Sequence, residues 1–230
     1  MAAVLGVDGC GAGWVGALLT GTTIDVLVAP CIEVVVAAAC AREPSLAAVA
    51  IDMPIGLPDG PPRLADLLAR QRLPAGRKSS VFPAPTRLAT AQPTHVEASA
   101  ANREATGGIG LSIQAFHLVP KILEVDAFVR LEHGFVVVEA HPEVSFASID
   151  PASVVPAKRT TVGARTRSDA LRRAGLEPPA YVRGQGYAVD DLLDACAVAW
   201  TAARVVGGEA DTLPDPPERF SDGLPAAIHV

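Results

Sequence analysis

Residues 5–19, "LGVDGCGAGWVGALL", place glycines around a single aspartate, Asp8, between two apolar runs. A dinucleotide-binding loop needs G-x-G-x-x-G between a strand and a helix. Here Gly9, Gly11 and Gly13 are spaced G-x-G-x-G, and the residues that follow have the pattern of a strand. A P-loop would need Gly-Lys-Ser/Thr, which this stretch lacks. The glycines therefore predict a tight hairpin with Asp8 at the end of a central strand; in the alternative interpretation Asp8 only caps the turn.

Periodic apolar segments around this hairpin predict an alternation of strands and helices. We predict strands at 3–7, Trp14–Leu19, Thr23–Val28, Ala47–Ile51 and Gly134–Ala140, and helices at Ile32–Arg42, Arg63–Arg72, Glu97–Thr106, Ser112–Arg130 and Val189–Val206. Three early strands in quick succession indicate an antiparallel meander, and the later alternation indicates a mixed α/β sheet with helices on its faces. The proline-rich tail, 213–225, is predicted to pack as coil.

The composition is that of a folded protein that needs no disulfides. Half of the 230 residues are hydrophobic and 19% are charged, which argues against disorder. The four cysteines show no C-x-x-C spacing and are expected to be reduced, with a thiolate nucleophile at Cys10 as the weaker alternative. No apolar run approaches the roughly 18 to 20 residues that span a bilayer, and the first residues lack a positively charged segment. We therefore expect a cytoplasmic protein with no membrane partner.

Several carboxylates follow apolar strands or lie in an apolar helix. Asp52 ends the strand "LAAVAID", and Glu139 ends the strand "GFVVVEA". Buried carboxylates are costly unless cations or metals compensate them, so we expect Asp8, Asp52 and Glu139 to converge at one edge of the sheet. In the last helix, "VDDLLDACAVAW", Asp191 and Asp194 are three residues apart and Asp190 and Asp194 are four apart, so either pair shares a face.

Capping of the helix is the competing explanation for the acids of its first turn. It explains Asp190 well, Asp191 partly and Asp194 poorly, because Asp194 lies a turn further in. A cluster of oxygen ligands without a matching His/Cys set favours Mg²⁺ or Mn²⁺. Two such ions about 3.5–4 Å apart activate water and stabilise the leaving oxygen in phosphodiester cleavage.

Basic residues are concentrated in two segments although the formal net charge is −6. Residues 61–90 and 158–183 hold 13 of the 19 lysines and arginines. They form either solvated helix-rich faces or two patches that flank an acidic centre, as a polyanion substrate would need. The candidate phosphate-binding residues are Arg77, Lys78, Ser79, Ser80 and Lys158. His141 is a candidate general base and Glu143 a candidate substrate contact, and both are equally well explained as residues of a capped turn.

With these residues in view, the chain resembles the domain of unknown function 429 (DUF429) family of predicted ribonuclease-H-like nucleases. The resemblance is carried by "GVDGCGAGW" (6–14), "IDMPIGLP" (51–58), "GRKSSVFPAP" (76–85), "LSIQ" (111–114), "KILEVD" (121–126), "VEAHPEVSF" (138–146) and "DDLLDACAVAWTA" (190–202). It implies a ribonuclease-H-like fold, with a mixed five-stranded sheet whose first three strands are antiparallel and with helices on both faces. On this basis 1–230 is a single domain with a helical and loop insertion at about 54–133.

The resemblance also implies which acids hold metal. In that superfamily the acids come from the first strand, the fourth strand and the last helix, which match Asp8, Asp52, Asp191 and Asp194. The last helix is similar to that of RuvC-type junction resolvases, which favours Asp191 and Asp194 over Asp190. Glu139 belongs to the family's own motif and is a further catalytic candidate.

The function expected from these residues is a nuclease that depends on Mg²⁺ or Mn²⁺ and acts on nucleic acid. One alternative is an actin-like nucleotide-dependent phosphotransferase, which shares the sheet topology and the first-strand aspartate. The other is a non-catalytic binding protein that keeps the fold. Nuclease activity, ATP turnover and metal binding discriminate among the three.

Overall fold

The computed structural model describes residues 2–151 and 160–230. The protein is α/β with a mixed sheet of seven strands, so the expected five strands were too few. The strands are β1 (Val4–Cys10), β2 (Gly13–Thr20), β3 (Thr23–Ala29), β4 (Ala48–Ile51), β5 (Val136–Ala140), β6 (Thr212–Arg219) and β7 (Pro225–His229). The helices are α1 (Ile32–Arg42), α2 (Leu64–Arg72), α3 (Arg87–Thr90), α4 (His95–Thr106), α5 (Ile113–Phe128), α6 (Pro142–Ile149), α7 (Thr161–Arg173) and α8 (Val189–Gly207).

The chain divides into two compact units. The first consists of Met1–Asp52, Glu132–Asp211 and His229–Val230, and the second of Met53–Leu131 and Thr212–Ile228. In the first unit the strand order is β3-β2-β1-β4-β5. β1 to β3 are antiparallel neighbours, as predicted, whereas β4 is parallel to both β1 and β5.

The glycine-rich stretch forms the predicted hairpin. Cys10 pairs with Gly13, which leaves Gly11 and Ala12 as a two-residue turn between two strands. Gly13 has a φ of +123°, and a Cβ there would lie 2.5 Å from the carbonyl oxygen of Ala29. Close backbone approach therefore requires glycine at this position, and no helix follows to form an anion-binding loop.

Helices cover both faces of the first unit's strands. A Cβ on Gly6 would lie 2.2 Å from the backbone oxygen of Ala195, so α8 packs directly on β1. A Cβ on Gly16 would lie 3.0 Å from Val35 of α1, which covers the opposite face. The alanines of α8 allow this close packing because their short side chains bring helix and sheet backbones together.

In the second unit a buried ion pair fixes the proline-rich loop. Arg63 is only 1% exposed; it donates from Nη1 to the backbone oxygen of Ile55 at 2.9 Å and from Nε to Asp66 at 3.2 Å. The other carboxylate oxygen of Asp66 accepts from the N–H of Ala84 at 2.9 Å. Backbone groups that a coil would leave to water are thus satisfied by one arginine and one aspartate.

Several elements escaped the sequence analysis, among them β6 and α6. The predicted coil at 213–225 was wrong, because β6 contains Pro214, Pro216 and Pro217. Proline lacks the N–H that a central strand needs, but β6 ends the strand order, where proline is tolerated. α6 begins with Pro142 in its first turn, a position at which the missing N–H costs nothing.

Within residues 2–151 and 160–230, no helix combines the length and apolar character needed to cross a bilayer. All four cysteines are free, as expected from their spacing.

Candidate active site

Asp8 and Asp52 are neighbours at the carboxyl ends of two parallel strands. Val7 of β1 is in register with Ile51 of β4, and the N–H of Asp52 donates to the carbonyl oxygen of Val7 at 2.9 Å. Neighbouring strands lie about 4.8 Å apart, so the two aspartates, one residue further on, are adjacent. Asp8 is 8% exposed, and its Oδ1 accepts the N–H of Gly9 at 2.7 Å. Asp52 is partly exposed.

The direction of α8 brings its first turns level with Asp8. At the hairpin turn the N–H of Ala12 donates to the carbonyl oxygen of Gly186 at 2.8 Å, just before α8 begins. Further back along β1, Gly6 meets Ala195 and Ala199. α8 therefore runs antiparallel to β1, and Asp8 lies between these two contacts. The first turns of α8, which lie at this level, contain Asp190, Asp191 and Asp194.

Asp194 is the most buried of these acids, at 1% exposure. Burial, and then the negative charge of Asp194, raise the pKa of the Cys196 thiol to about 12. The Asp194 charge thus acts inside an apolar core, where charge interactions are stronger than in water. Cys196 remains a protonated packing residue for the same reason.

The capping role predicted best for Asp190 belongs to Asp191. The Asp191 carboxylate accepts the N–H of Ala188, the residue before α8, at 2.8 Å. An acid at the third position of a helix reaches back to this N–H, which has no partner within the helix. Asp191 is partly exposed, whereas Asp190 is buried. The helix-start explanation therefore accounts for Asp191.

Glu139 reaches the same edge of the sheet but lies on the other face. It is in register with Ile51, which is in register with Val7, and side chains alternate along a strand. Asp8 shares the face of Gly6, which packs against α8, so Glu139 points away from it. Glu139 is buried, and its carbonyl oxygen accepts from Nδ1 of His229 at 3.3 Å. Glu139 thus lies at the expected edge of the sheet but on the face opposite Asp8, because its strand position differs by one residue.

His141 and Glu143 are both engaged at the start of α6. Nδ1 of His141 accepts the N–H of Glu143 at 3.2 Å, which is the capped-turn alternative. The Glu143 carboxylate accepts from Arg167 at 2.6 Å, and Arg167, 0% exposed, also lies 5.3 Å from the ring centroid of Phe146. Sequence reasoning missed this ion pair because the two residues are far apart and α7 is mostly polar. Glu143 is thus a partner of a buried arginine.

The family model described as "Protein of unknown function (DUF429)" matches residues 6–219, a span that contains every acid described above. The chain belongs to this family. No curated protein and no solved structure matches it.

The remaining phosphate-binding candidates of this DUF429 chain lie in its second unit or outside the described residues. Arg77, Lys78, Ser79 and Ser80 belong to a 3₁₀-helix, Ala75–Ser80, in the second unit. Lys78 and Ser79 are exposed, and Arg77 and Ser80 are partly so. Lys158 lies outside the described residues.

Many arginines of the two basic segments of the DUF429 chain are bound within it. Arg87 donates to Asp126 and to Asp222, each at 2.7 Å, and the hydrogen bond to Asp126 is the main cause that raises the pKa of Arg87. Arg172 donates to Glu177 at 3.0 Å. Arg63 and Arg167 are buried, so for these two residues both interpretations, a solvated face and a patch for a polyanion, were wrong.

The side chains where β1 and β4 end are of the chemical type that binds a hard divalent cation. Asp8, Asp52 and Asp194 supply carboxylate oxygens, which Mg²⁺ and Mn²⁺ prefer. Within the part of the chain that the structure describes, no group of three or more His, Cys, Asp or Glu side chains could together hold a metal ion. Mg²⁺ is commonly bound by one or two carboxylates, several waters and substrate phosphates, which requires no preformed cage of protein ligands.

Proposed function

We propose that this DUF429 protein is a nuclease that depends on Mg²⁺ or Mn²⁺ and has a ribonuclease-H-like arrangement of its acids. One observation carries the proposal: Asp8 and Asp52 end adjacent parallel strands, with Asp194 level with Asp8 on the helix that covers that face. The antiparallel start of the strand order and the use of the first strand, the fourth strand and the last long helix support the same assignment.

Each acid has a distinct part in the proposed reaction. Asp8 and Asp52 hold the cation, and the buried charge of Asp194 strengthens the negative potential behind them. Asp191 holds the start of α8 through Ala188 and so positions Asp194. A bound cation would activate water and stabilise the leaving oxygen of a phosphodiester. Glu139, on the other face, is left out of the cation set.

Nucleic acid is the proposed substrate because this chemistry acts on phosphodiesters and needs no Ser, Cys or His nucleophile. The net charge of −6 means that binding depends on local positive charge rather than on the field of the whole chain. Four free cysteines fit a reducing compartment, so the cytoplasm is part of the proposal.

The test is cleavage of a mixed pool of DNA and RNA with Mn²⁺ or Mg²⁺, compared with EDTA. We expect Asp8→Asn and Asp52→Asn each to abolish cleavage. Asp25→Asn is the matched control, because Asp25 is an exposed aspartate on β3 and its replacement changes the net charge equally. Cleavage by Asp8→Asn at the wild-type rate would overturn the proposal.

Two further measurements on the same preparation separate the alternatives. ATP turnover without cleavage of nucleic acid would favour the phosphotransferase. Calorimetry with Mn²⁺ and Mg²⁺ tests the cation site itself, and absence of binding at any concentration would favour a non-catalytic protein. Glu139→Gln should leave the calorimetric affinity unchanged, since Glu139 faces away from Asp8.

A further inference from the structure

The segment "YVRGQGY", residues 181–187, forms a loop that its two tyrosines close. Tyr187 is buried in the core of the first unit. The Tyr181 hydroxyl donates to the carbonyl oxygen of Tyr187 at 3.3 Å, and the two rings meet edge to face at 5.7 Å. The loop is therefore fixed at its base by a buried aromatic anchor.

The loop is also bound to the hairpin that carries Asp8. The carbonyl oxygen of Gly186 accepts the N–H of Ala12 at 2.8 Å. Gly186 has a φ of +83°, and a Cβ there would lie 2.4 Å from the Cβ of Ala12. The contact thus depends on glycine, and it holds the loop at the hairpin turn, just past Cys10, which lies two strand residues or about 7 Å beyond Asp8.

The tip of this loop presents a positive charge to solvent. Val182, Arg183, Gly184 and Gln185 are all exposed. Among the described residues Arg183 forms no hydrogen bond or ion pair, whereas Arg167, Arg172 and Arg173 of the same basic segment pair with acids. The charge of Arg183 is therefore available to a ligand, on a loop that is anchored beside the candidate active site.

We propose that Arg183 binds a backbone phosphate of a nucleic-acid strand whose scissile phosphate lies at Asp8 and Asp52. This inference rests on the proposed function. An arginine fork donates two parallel hydrogen bonds to a phosphate, which gives geometry as well as charge. Because the loop is anchored at the turn that follows Cys10, two strand residues beyond Asp8, the phosphate that Arg183 holds flanks the scissile one. Arg183 is thus a positioning residue, and the loop sets the path of the strand.

The test is fluorescence anisotropy with a labelled single-stranded oligonucleotide, DNA and RNA separately, in EDTA and over a range of salt. Arg183→Gln should weaken binding about threefold to tenfold and reduce the slope of log affinity against log salt by about 0.7, the contribution of one phosphate contact. Arg183→Lys should keep most of the slope, since it keeps the charge. Free inorganic phosphate and a mononucleotide serve as competitors.

Arg42→Gln is the matched control. Arg42 is an exposed arginine in the last turn of α1, just before β4. The bond from the N–H of Ala47 to the oxygen of Ala3 marks that end of the sheet as opposite to Asp8. Arg42→Gln changes the net charge as Arg183→Gln does and should leave affinity and slope unchanged.

The outcomes separate this inference from the proposed function. Loss of affinity in Arg183→Gln alone supports it. Cleavage by Asp8→Asn at the wild-type rate would overturn the proposed function and the position of the scissile phosphate, and would leave only the phosphate contact of Arg183. Equal losses in Arg183→Gln and Arg42→Gln, or no loss in either, overturn it while metal-dependent cleavage can still hold. Failure of the wild-type protein to bind either strand overturns it as well. Competition by millimolar inorganic phosphate as strong as by the strand would make the ligand a free anion and also overturn it.

Discussion

Replacement of Gly6 by alanine tests the packing that aligns β1 with α8. The added Cβ would lie 2.2 Å from the oxygen of Ala195 and from the nitrogen of Ala199, and ordinary van der Waals contact begins at 3.4 Å. Both atoms belong to helix backbone, so no side-chain rotation relieves the overlap. α8 must move away from β1 by about 1.2 Å, the difference between these distances.

The expected loss of stability follows from this displacement. Overpacking in a well-packed core costs about 1–3 kcal/mol. Gly6→Ala belongs at the upper end because the helix that must move carries much of the buried core. For a chain of this size, about 3 kcal/mol lowers Tm by about 6–12 °C. Gly16→Ala is the graded comparison, since its Cβ would meet side chains of Val35 and Leu5 at 3.0 and 3.1 Å. We expect about 1 kcal/mol there.

The assay is urea unfolding monitored by circular dichroism. The free energies of unfolding are compared among variants whose dependence on urea concentration (the m-value) is the same. Gly134→Ala is the control, because a Cβ at Gly134 meets no atom within 4 Å; it should lie within about 0.5 kcal/mol of wild type. If Gly6→Ala unfolded at the wild-type urea concentration, the close approach of α8 to β1 would be wrong. The alignment of Asp8 with Asp194 would then lose its support.

Three further predictions concern buried groups. Glu143→Leu should destabilise the fold by about 3 kcal/mol, since it removes a carboxylate that pairs with the buried Arg167, and adding Arg167→Met should recover much of this in a urea double-mutant cycle. With its pKa raised to about 12, Cys196 should resist iodoacetamide at pH 8 in the native protein and be alkylated only in denaturant, as mass spectrometry of its peptide would show. Burial lowers the pKa of His229, so the unfolded state takes up its proton first; stability present above pH 6.5 should fall as the pH drops below that value, and less so in His229→Gln. An unchanged wild-type stability between pH 7.5 and 5.5, above the range where Asp126 titrates, would contradict the last of these.

Local patterns predicted most of the elements of the first unit. The apolar run at Ile32–Arg42 gave α1 with the same bounds, and the glycine spacing gave the β1–β2 hairpin. Both signals are local: a helical period in one case and backbone conformation in the other. β6 was missed because three prolines argue for coil unless the strand is known to lie at an edge. That position is a property of the whole sheet and has no local signal.

The sequence predicted at which edge of the sheet the candidate acids lie, but not which face of the sheet each one occupies. Acids after apolar strands meet at one edge whenever the strands are parallel, and this places Asp8 beside Asp52. The face depends on register, which a single sequence does not give. Nothing in the sequence shows that Glu139 is in register with Ile51 rather than with Asp52. This difference of one position puts Glu139 on the face opposite α8.

The sequence also does not show which positive charges are paired with carboxylates. A count over the sequence puts 13 of 19 basic residues in two segments and so predicts two patches for a polyanion. Each arginine that finds a carboxylate contributes little field at a distance, because the pair is nearly neutral. Arg87 is bound by Asp126 and Asp222, and Arg167 by Glu143. Within residues 2–151 and 160–230, Arg183 is a charge on an anchored loop that no carboxylate neutralises. An acidic chain can therefore bind a phosphate strand through a small number of fixed cations, and its affinity should show a shallow dependence on salt rather than the steep one of a basic surface.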